Sequence, residues 1–187
     1  MMRFDRFTER AQDAAMRAYE VLQRYGHTQV DTEHLLLALI EQPEGVIPEV
    51  LSRLGVDLDA VAHRLDEELQ RSPRTQIYGG GGVNQVYITP RLKRVIDQSN
   101  DEASKLKDDY ISTEHLFLAI ASERNTPSAR ILAELGVTRQ RILESVEEVR
   151  GGQKANSTQA GSRYRTLDKF SRDLTQLARE GKLDPVI

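Results

Sequence analysis

Two places along this chain carry the same three side chains in the same order, Thr32-Glu33-His34 and Thr113-Glu114-His115. A hydroxyl, a carboxylate and an imidazole are the groups from which acid–base catalysis, nucleophilic catalysis and metal sites are built. Their spacing argues against all three. Neighbouring positions on a helix point in different directions, so Ser112, Glu114 and His115 do not converge as a nucleophile with its base, and no Gly-x-Ser-x-Gly elbow occurs. The four histidines, His27, His34, His63 and His115, show no His-Glu-x-x-His spacing and no carboxylate cluster at ligand spacing, so no metal site is expected. The run Gly79-Gly80-Gly81-Gly82 lacks the lysine and following helix of a phosphate loop, so no ATP site and no catalytic residue are expected here.

Two readings of Thr-Glu-His remain. In the first it is helix-start chemistry: Thr32 and Thr113 help to cap a helix, Glu33 and Glu114 meet the positive end of its dipole, and His34 and His115 bond a neighbouring loop. In the second, Glu33 and Glu114 lie in two symmetric acidic clefts and accept a guanidinium or ammonium from a partner. The helix-start chemistry by itself accounts for all three residue types.

The elements that must position these triplets follow from an internal repeat. At one offset, 81 residues, Val30 to Ala38 returns as Ile111 to Ala119, Leu54-Gly55-Val56 as Leu135-Gly136-Val137, and Thr8 and Arg10 as Thr89 and Arg91. One register held across so many residues marks a duplication, with copies at Phe7 to Arg71 and Ile88 to Gly152, each read as a folding unit. Each copy is read as four helices. The first is capped by Thr8 or Thr89, the latter followed by Pro90 at the first helical position. The second is capped by Asp31 or Ser112, and its run Leu35 to Ile40, or Leu116 to Ala121, is apolar nearly all round, which places it in the core. The third ends at Gly55 or Gly136, and the fourth begins at Asp57 or Thr138. Alanines in the first helix of copy one (Ala11, Ala14, Ala15, Ala18) stand opposite larger residues in copy two (Leu92, Val95, Ile96), which predicts that these two helices pack closely across a pseudo-twofold axis. The fold class is therefore all-α: a pseudo-twofold pair of four-helix repeats, eight helices, over residues 1–150.

Composition agrees. Apolar residues make up 39%, charged residues 29% and aromatic residues 5% of the 187, a balance of helical proteins. There is no cysteine, which excludes disulfides and thiolate chemistry. No apolar run approaches the roughly 20 residues of a membrane span, and the start lacks a secretory signal's apolar core, so a cytoplasmic protein with no membrane partner is expected. From Arg150 onward eight Lys/Arg face four Asp/Glu, which leaves the first 149 residues at −7 and argues against nucleic acid as a partner. Residues 72–87, with Pro73 and the glycine run, read as a mobile loop. Residues 151–163 read as a flexible linker because Gly, Ser, Thr, Asn, Gln and Ala cannot bury apolar surface. A short helix is expected from Leu167 to Glu180.

With the repeat in view, the sequence resembles the N-terminal domain of the Clp family of AAA+ protein-unfolding ATPases, the group containing ClpC, ClpB and ClpA. The matching segments are Phe7-Thr8-Glu9-Arg10-Ala11, the two Thr-Glu-His-Leu helices, Thr89-Pro90-Arg91, and Leu183-Asp184-Pro185-Val186-Ile187. The resemblance implies that residues 164–187 open the first ATPase module, with the chain stopping there. It implies a non-catalytic recognition domain for protein substrates and adaptor proteins, monomeric as this chain. ATP and magnesium would be held only by ATPase modules of a longer, hexameric protein acting in protein quality control and the stress response. A ClpC-like branch implies a ClpP-type peptidase partner and adaptors; a ClpB-like branch, suggested by Arg150-Gly151-Gly152 and the tail, implies disaggregation. A third role is regulation of ring assembly without substrate contact. In some ClpC-like relatives these domains receive phosphorylated arginines on substrates. Carried over, Glu33 and Glu114 would hold the guanidinium, with Thr32, Thr113 and the helix amides near the phosphate. The residue before each Thr is Asp31 or Ser112 where ClpC relatives usually have glycine. Because Asp31 would repel a phosphate, the second site is the expected receptor.

Overall fold

The computed structural model describes residues 5–73 and 86–161. Among them the chain forms eight α-helices: α1 (Glu9–Tyr25), α2 (Thr32–Glu41), α3 (Val46–Arg53), α4 (Leu58–Arg71), α5 (Pro90–Lys105), α6 (Thr113–Ser122), α7 (Pro127–Glu134) and α8 (Arg139–Arg150). Two short strands, β1 (Gln29–Val30) and β2 (Tyr87–Ile88), pair in parallel.

The helix boundaries follow from local chemistry. The Thr8 hydroxyl accepts the Ala11 amide at 3.1 Å, and Thr89 does the same for Leu92 at 3.2 Å. After α3 and α7 the chain turns through Gly55 and Gly136 at φ of 73° and 78°, the left-handed region that only glycine enters cheaply. Loss of the fully buried Thr8 cap in Thr8→Ala is expected to lower stability by about 1 kcal/mol, read from urea denaturation followed by circular dichroism.

The repeats interlock rather than stand side by side. Residues leading into each α1-type helix cross to the other repeat: Phe7 bridges Ile111, and 81 residues later Ile88 pairs with Val30. The Thr8 amide donates to the Ile111 carbonyl at 3.0 Å and the Thr89 amide to the Val30 carbonyl at 3.1 Å, so the exchange is symmetric to within the bond lengths. The helices continue it, with α3 on α8 and α4 on α7, while α2 meets α6 at the centre. Every residue of α2 from Thr32 to Ile40 is buried, as its unbroken apolar run requires, and one hydrophobic core runs through both repeats.

Two expectations are corrected. The main partner of α1 is α2 and that of α5 is α6; α1 and α5 instead face each other across a small apolar cavity of about 30 Å3 lined by Ala15, Ala18, Leu92 and Ile96 among others. Small residues opposite large ones marked this cavity and not a tight seam. The stretch read as a linker is held against the domain as far as residue 161. Ala155 and Ala160 are buried, the Tyr110 amide donates to the Ala155 carbonyl at 2.9 Å, and the Glu9 amide donates to the Thr158 carbonyl at 2.7 Å. Two alanines and paired main-chain groups dock a segment whose composition offers little else. Most of the 72–87 loop, the rest of the linker, the helix expected at Leu167 to Glu180 and the segment 164–187 lie outside the described residues. Among the described residues no helix is long and apolar enough to cross a membrane.

Candidate functional site

Each Thr-Glu-His triplet opens a buried helix, and its histidine closes a capping box. The Asp31 amide donates to His34 Nδ1 at 2.9 Å, and the Ser112 amide to His115 Nδ1 at 2.8 Å, the role a Glu or Gln side chain plays in the usual box. The other ring nitrogen reaches the preceding loop: His34 Nε2 lies 2.8 Å from His27 Nδ1, and His115 Nε2 lies 2.7 Å from Asp108 Oδ2. Thr32 and Thr113 are buried; Thr32 Oγ1 sits 3.1 Å from Ser128 Oγ, and the Thr113 hydroxyl donates to Glu114 at 3.0 Å. Neither Thr side chain is turned outward toward a ligand.

The two carboxylates are each met by an arginine of this same chain. In the second repeat Glu114 is fully buried; Arg150 Nε and Nη2 donate to it at 3.1 and 2.8 Å, while Arg150 Nη1 donates to Asp108 at 2.8 Å. Burial alone would push the Glu114 carboxyl up, but the charges of Arg150 and His115 and the Arg150 and Ser112 hydrogen bonds hold it below the ordinary carboxylate range. Asp108 is brought down to about 2: burial opposes the shift, and bonds from His115, the Ala155 amide and Arg150 overcome it.

In the first repeat Arg91, from the other repeat's α5, grips Asp31 through two parallel bonds of 2.7 and 2.5 Å and stands 3.4 Å from Glu33. Burial raises Asp31, but Arg91 and the Thr32 amide bring it below normal, whereas Glu33 is raised by burial and by the Asp31 charge beside it. The position equivalent to Arg150 is Leu69, so no arginine arrives from α4. A polar cleft of about 360 Å3 lies there, bordered by His27, Asp31, Glu33, His34, Leu69 and Ser72. The two sites thus differ in their surroundings. The second carboxylate is buried under an internal guanidinium, and the first borders an open cleft. Residue types at offset 81 held this difference, Arg150 against Leu69, but only the fold shows that α8 returns to α6.

Sequence reasoning did not find a second, wider concavity. A groove of about 1010 Å3 runs where the repeats exchange their strands; Phe7, Val86, Tyr87, Ile88, Ile96 and Ile111 form its apolar part, and Arg6, Lys93, Asp97 and Asn100 its polar part. Tyr87 and Ile88 are 56% and 36% exposed, unusual for large apolar side chains at an ordered strand. The signal was present as Val86-Tyr87-Ile88 just before Thr89, but nothing local revealed that Ile111 and Phe7 would meet it. Among the described residues no group of three or more His, Cys, Asp or Glu could hold a metal ion.

Comparison with known proteins agrees with this architecture. The family model for the Clp repeat N-terminal domain matches residues 6–135. The chain is 38% identical over 187 residues to the chaperone protein ClpB of Nitratidesulfovibrio vulgaris and 39% identical over 191 residues to the negative regulator of genetic competence ClpC/MecB of Bacillus subtilis. Each alignment covers 100% of this chain but only 22% and 23% of those relatives. The crystal structure of the Hsp104 N-terminal domain from Candida albicans superposes with a TM-score of 0.69 at 21% identity, covering 83% of this chain and 98% of that one. Duplicated helices, strand exchange and the paired Thr-Glu-His caps together with these matches lead to one conclusion: the chain belongs to the Clp repeat N-terminal domain family.

Proposed function

We propose that this domain is a polypeptide-recognition module of an ATP-dependent Clp unfoldase acting in protein quality control, and that it takes apolar segments of unfolded substrates or adaptors into the groove between the repeats. The observation that carries this reading is the groove itself: about 1010 Å3, with Tyr87 and Ile88 presented at its wall and charges of both signs at its rim. Apolar walls supply affinity that tolerates many sequences, and a mixed rim orients a chain without demanding one motif. ATP hydrolysis and peptidase docking belong, on this reading, to other modules of the longer protein. Similarity to a ClpB and a ClpC at nearly equal identity supports the step common to both, capture of a polypeptide, over either downstream fate. Fluorescence anisotropy with a labelled, permanently unfolded polypeptide tests it. Saturable binding in the micromolar range supports capture, and no binding at hundreds of micromolar, with ring ATPase activity altered by groove variants, favours a role in assembly instead.

A second reading rests on the cleft beside Glu33. A phosphoarginine or arginine side chain would enter the first repeat and compete with Arg91 for Glu33 and Asp31, while Glu114 stays bound to Arg150. Calorimetric titration with free phosphoarginine is then expected to show binding that strengthens in Arg91→Ala, is lost in Glu33→Ala and is unchanged on perturbing the second repeat. Equal losses in Glu33→Ala and Glu114→Ala would contradict that asymmetry.

A further inference from the structure

After α8 the chain folds back over both repeats. The Ala155 amide donates to Asp108 Oδ1 and the Tyr110 amide to the Ala155 carbonyl, each at 2.9 Å. Three residues on, the Thr158 carbonyl accepts the Glu9 amide at 2.7 Å, and Gly161 arrives beside Arg10 and Val46. We infer that residues 153–161 are a releasable strap that staples the Phe7–Ile111 wall of the groove, and that it ties the state of this wall to movement of the chain beyond residue 161.

The stapling follows from which amides the strap takes. Tyr110 belongs to the second repeat and Glu9 to the first, and each adjoins a residue of the bridge between them. Within the bridge the Thr8 amide donates to the Ile111 carbonyl at 3.0 Å and the Ile111 amide to the Arg6 carbonyl at 2.7 Å. To these two bonds the strap adds one on each side, from Ala155 and from Thr158. Glu9 is the first residue of α1, so its amide has no acceptor within the helix, and the Thr158 carbonyl supplies one. At the equivalent position the second repeat has Pro90, which has no amide, so this attachment cannot be repeated at the β1–β2 wall.

Lifting the strap costs little compared with unfolding the domain. Ala155 and Ala160 are its only buried side chains, and residues 156–159 are exposed. A segment with few buried apolar contacts and exposed hydrogen bonds opens far more readily than the core. The wall it holds is different in kind: Phe7 and Ile111 are 2% and 5% exposed and form part of the apolar surface of the groove. Freed and fully extended, residues 153–161 would span at most about 30 Å. A longer tether and a looser groove wall therefore come together. The consequence for peptide capture rests on the groove reading above; the strap itself does not.

Amide hydrogen exchange of this chain, corrected for intrinsic rates and followed by NMR, tests the strap without any ligand. Glu9→Pro removes the amide that Thr158 holds and leaves α1 intact, because proline is favoured at the first helical position and Thr8, at ψ 162°, is as extended as Thr89 before Pro90. Loss of that one bond is expected to lower protection of the Tyr110 amide about 5-fold, whereas Glu9→Gln, which keeps the amide, leaves it unchanged. Ala155→Arg, which places a large side chain where there is no room, is expected to free the Tyr110 and Glu9 amides outright. In that variant the Thr8 and Ile111 amides should lose at least about 5-fold in protection, while Tyr87 and Thr89 at the opposite wall keep theirs. Full protection of Tyr110 in Glu9→Pro, or of Thr8 and Ile111 in a folded Ala155→Arg variant, would overturn the proposal. So would an equal loss at both walls.

Discussion

Replacement of Arg150 by alanine is expected to destabilise the chain by about 3–5 kcal/mol in urea denaturation, enough to unfold a marginal domain at physiological temperature. The size follows from what is left behind. Glu114 and Asp108 have fully buried side chains, and Arg150 is itself only 5% exposed in its side chain, so removal of one cation strands two carboxylates where water cannot reach them. The corresponding change in the first repeat should be milder. Arg91 has a 31% exposed side chain, and Asp31 keeps bonds from Thr32 and Thr89, so Arg91→Ala is expected to cost about 1 kcal/mol. Arg150→Met, or any apolar replacement, should not rescue stability while both carboxylates remain. Arg150→Met combined with Glu114→Gln and Asp108→Asn should recover part of it, because the buried charges are then gone. A loss below 1 kcal/mol in Arg150→Ala would mean that the cluster is open to water.

The second large effect concerns recognition. Tyr87→Ala together with Ile96→Ala is expected to weaken binding of an unfolded polypeptide by about 10- to 100-fold, the range for removal of an aromatic anchor with an aliphatic neighbour from an interface. Tyr87 is mostly exposed and Ile96 only partly buried, so the domain itself should lose less than about 2 kcal/mol of stability. Measuring the denaturation midpoint beside the anisotropy titration separates the two. Unchanged affinity with unchanged stability would move the binding surface elsewhere.

How far the sequence foretold this structure depended on whether a feature was local or needed distant chain segments to meet. The α2 and α6 helices were legible because an apolar run bounded by Asp31 or Ser112 has one outcome, a buried capped helix. The turns at Gly55 and Gly136 were legible for the same reason. The partner of Glu114 was not, since Arg150 is 36 residues away and its approach depends on how α8 folds back onto α6. Asp31 was read as a residue that repels phosphate; in the structure it holds Arg91, a contact between repeats. The docking of residues 151–161 was missed because composition counts side chains, whereas this segment is fixed by main-chain bonds and two alanines.

The central claim is that the groove between the repeats receives polypeptide. Intermolecular nuclear Overhauser effects, recorded between an unlabelled apolar peptide and this chain carrying labelled isoleucine methyls, test it most directly. Contacts from the peptide to Ile88, Ile96 and Ile111 are the result the account predicts. Contacts confined to methyls outside the groove, with none of these three involved, would contradict it.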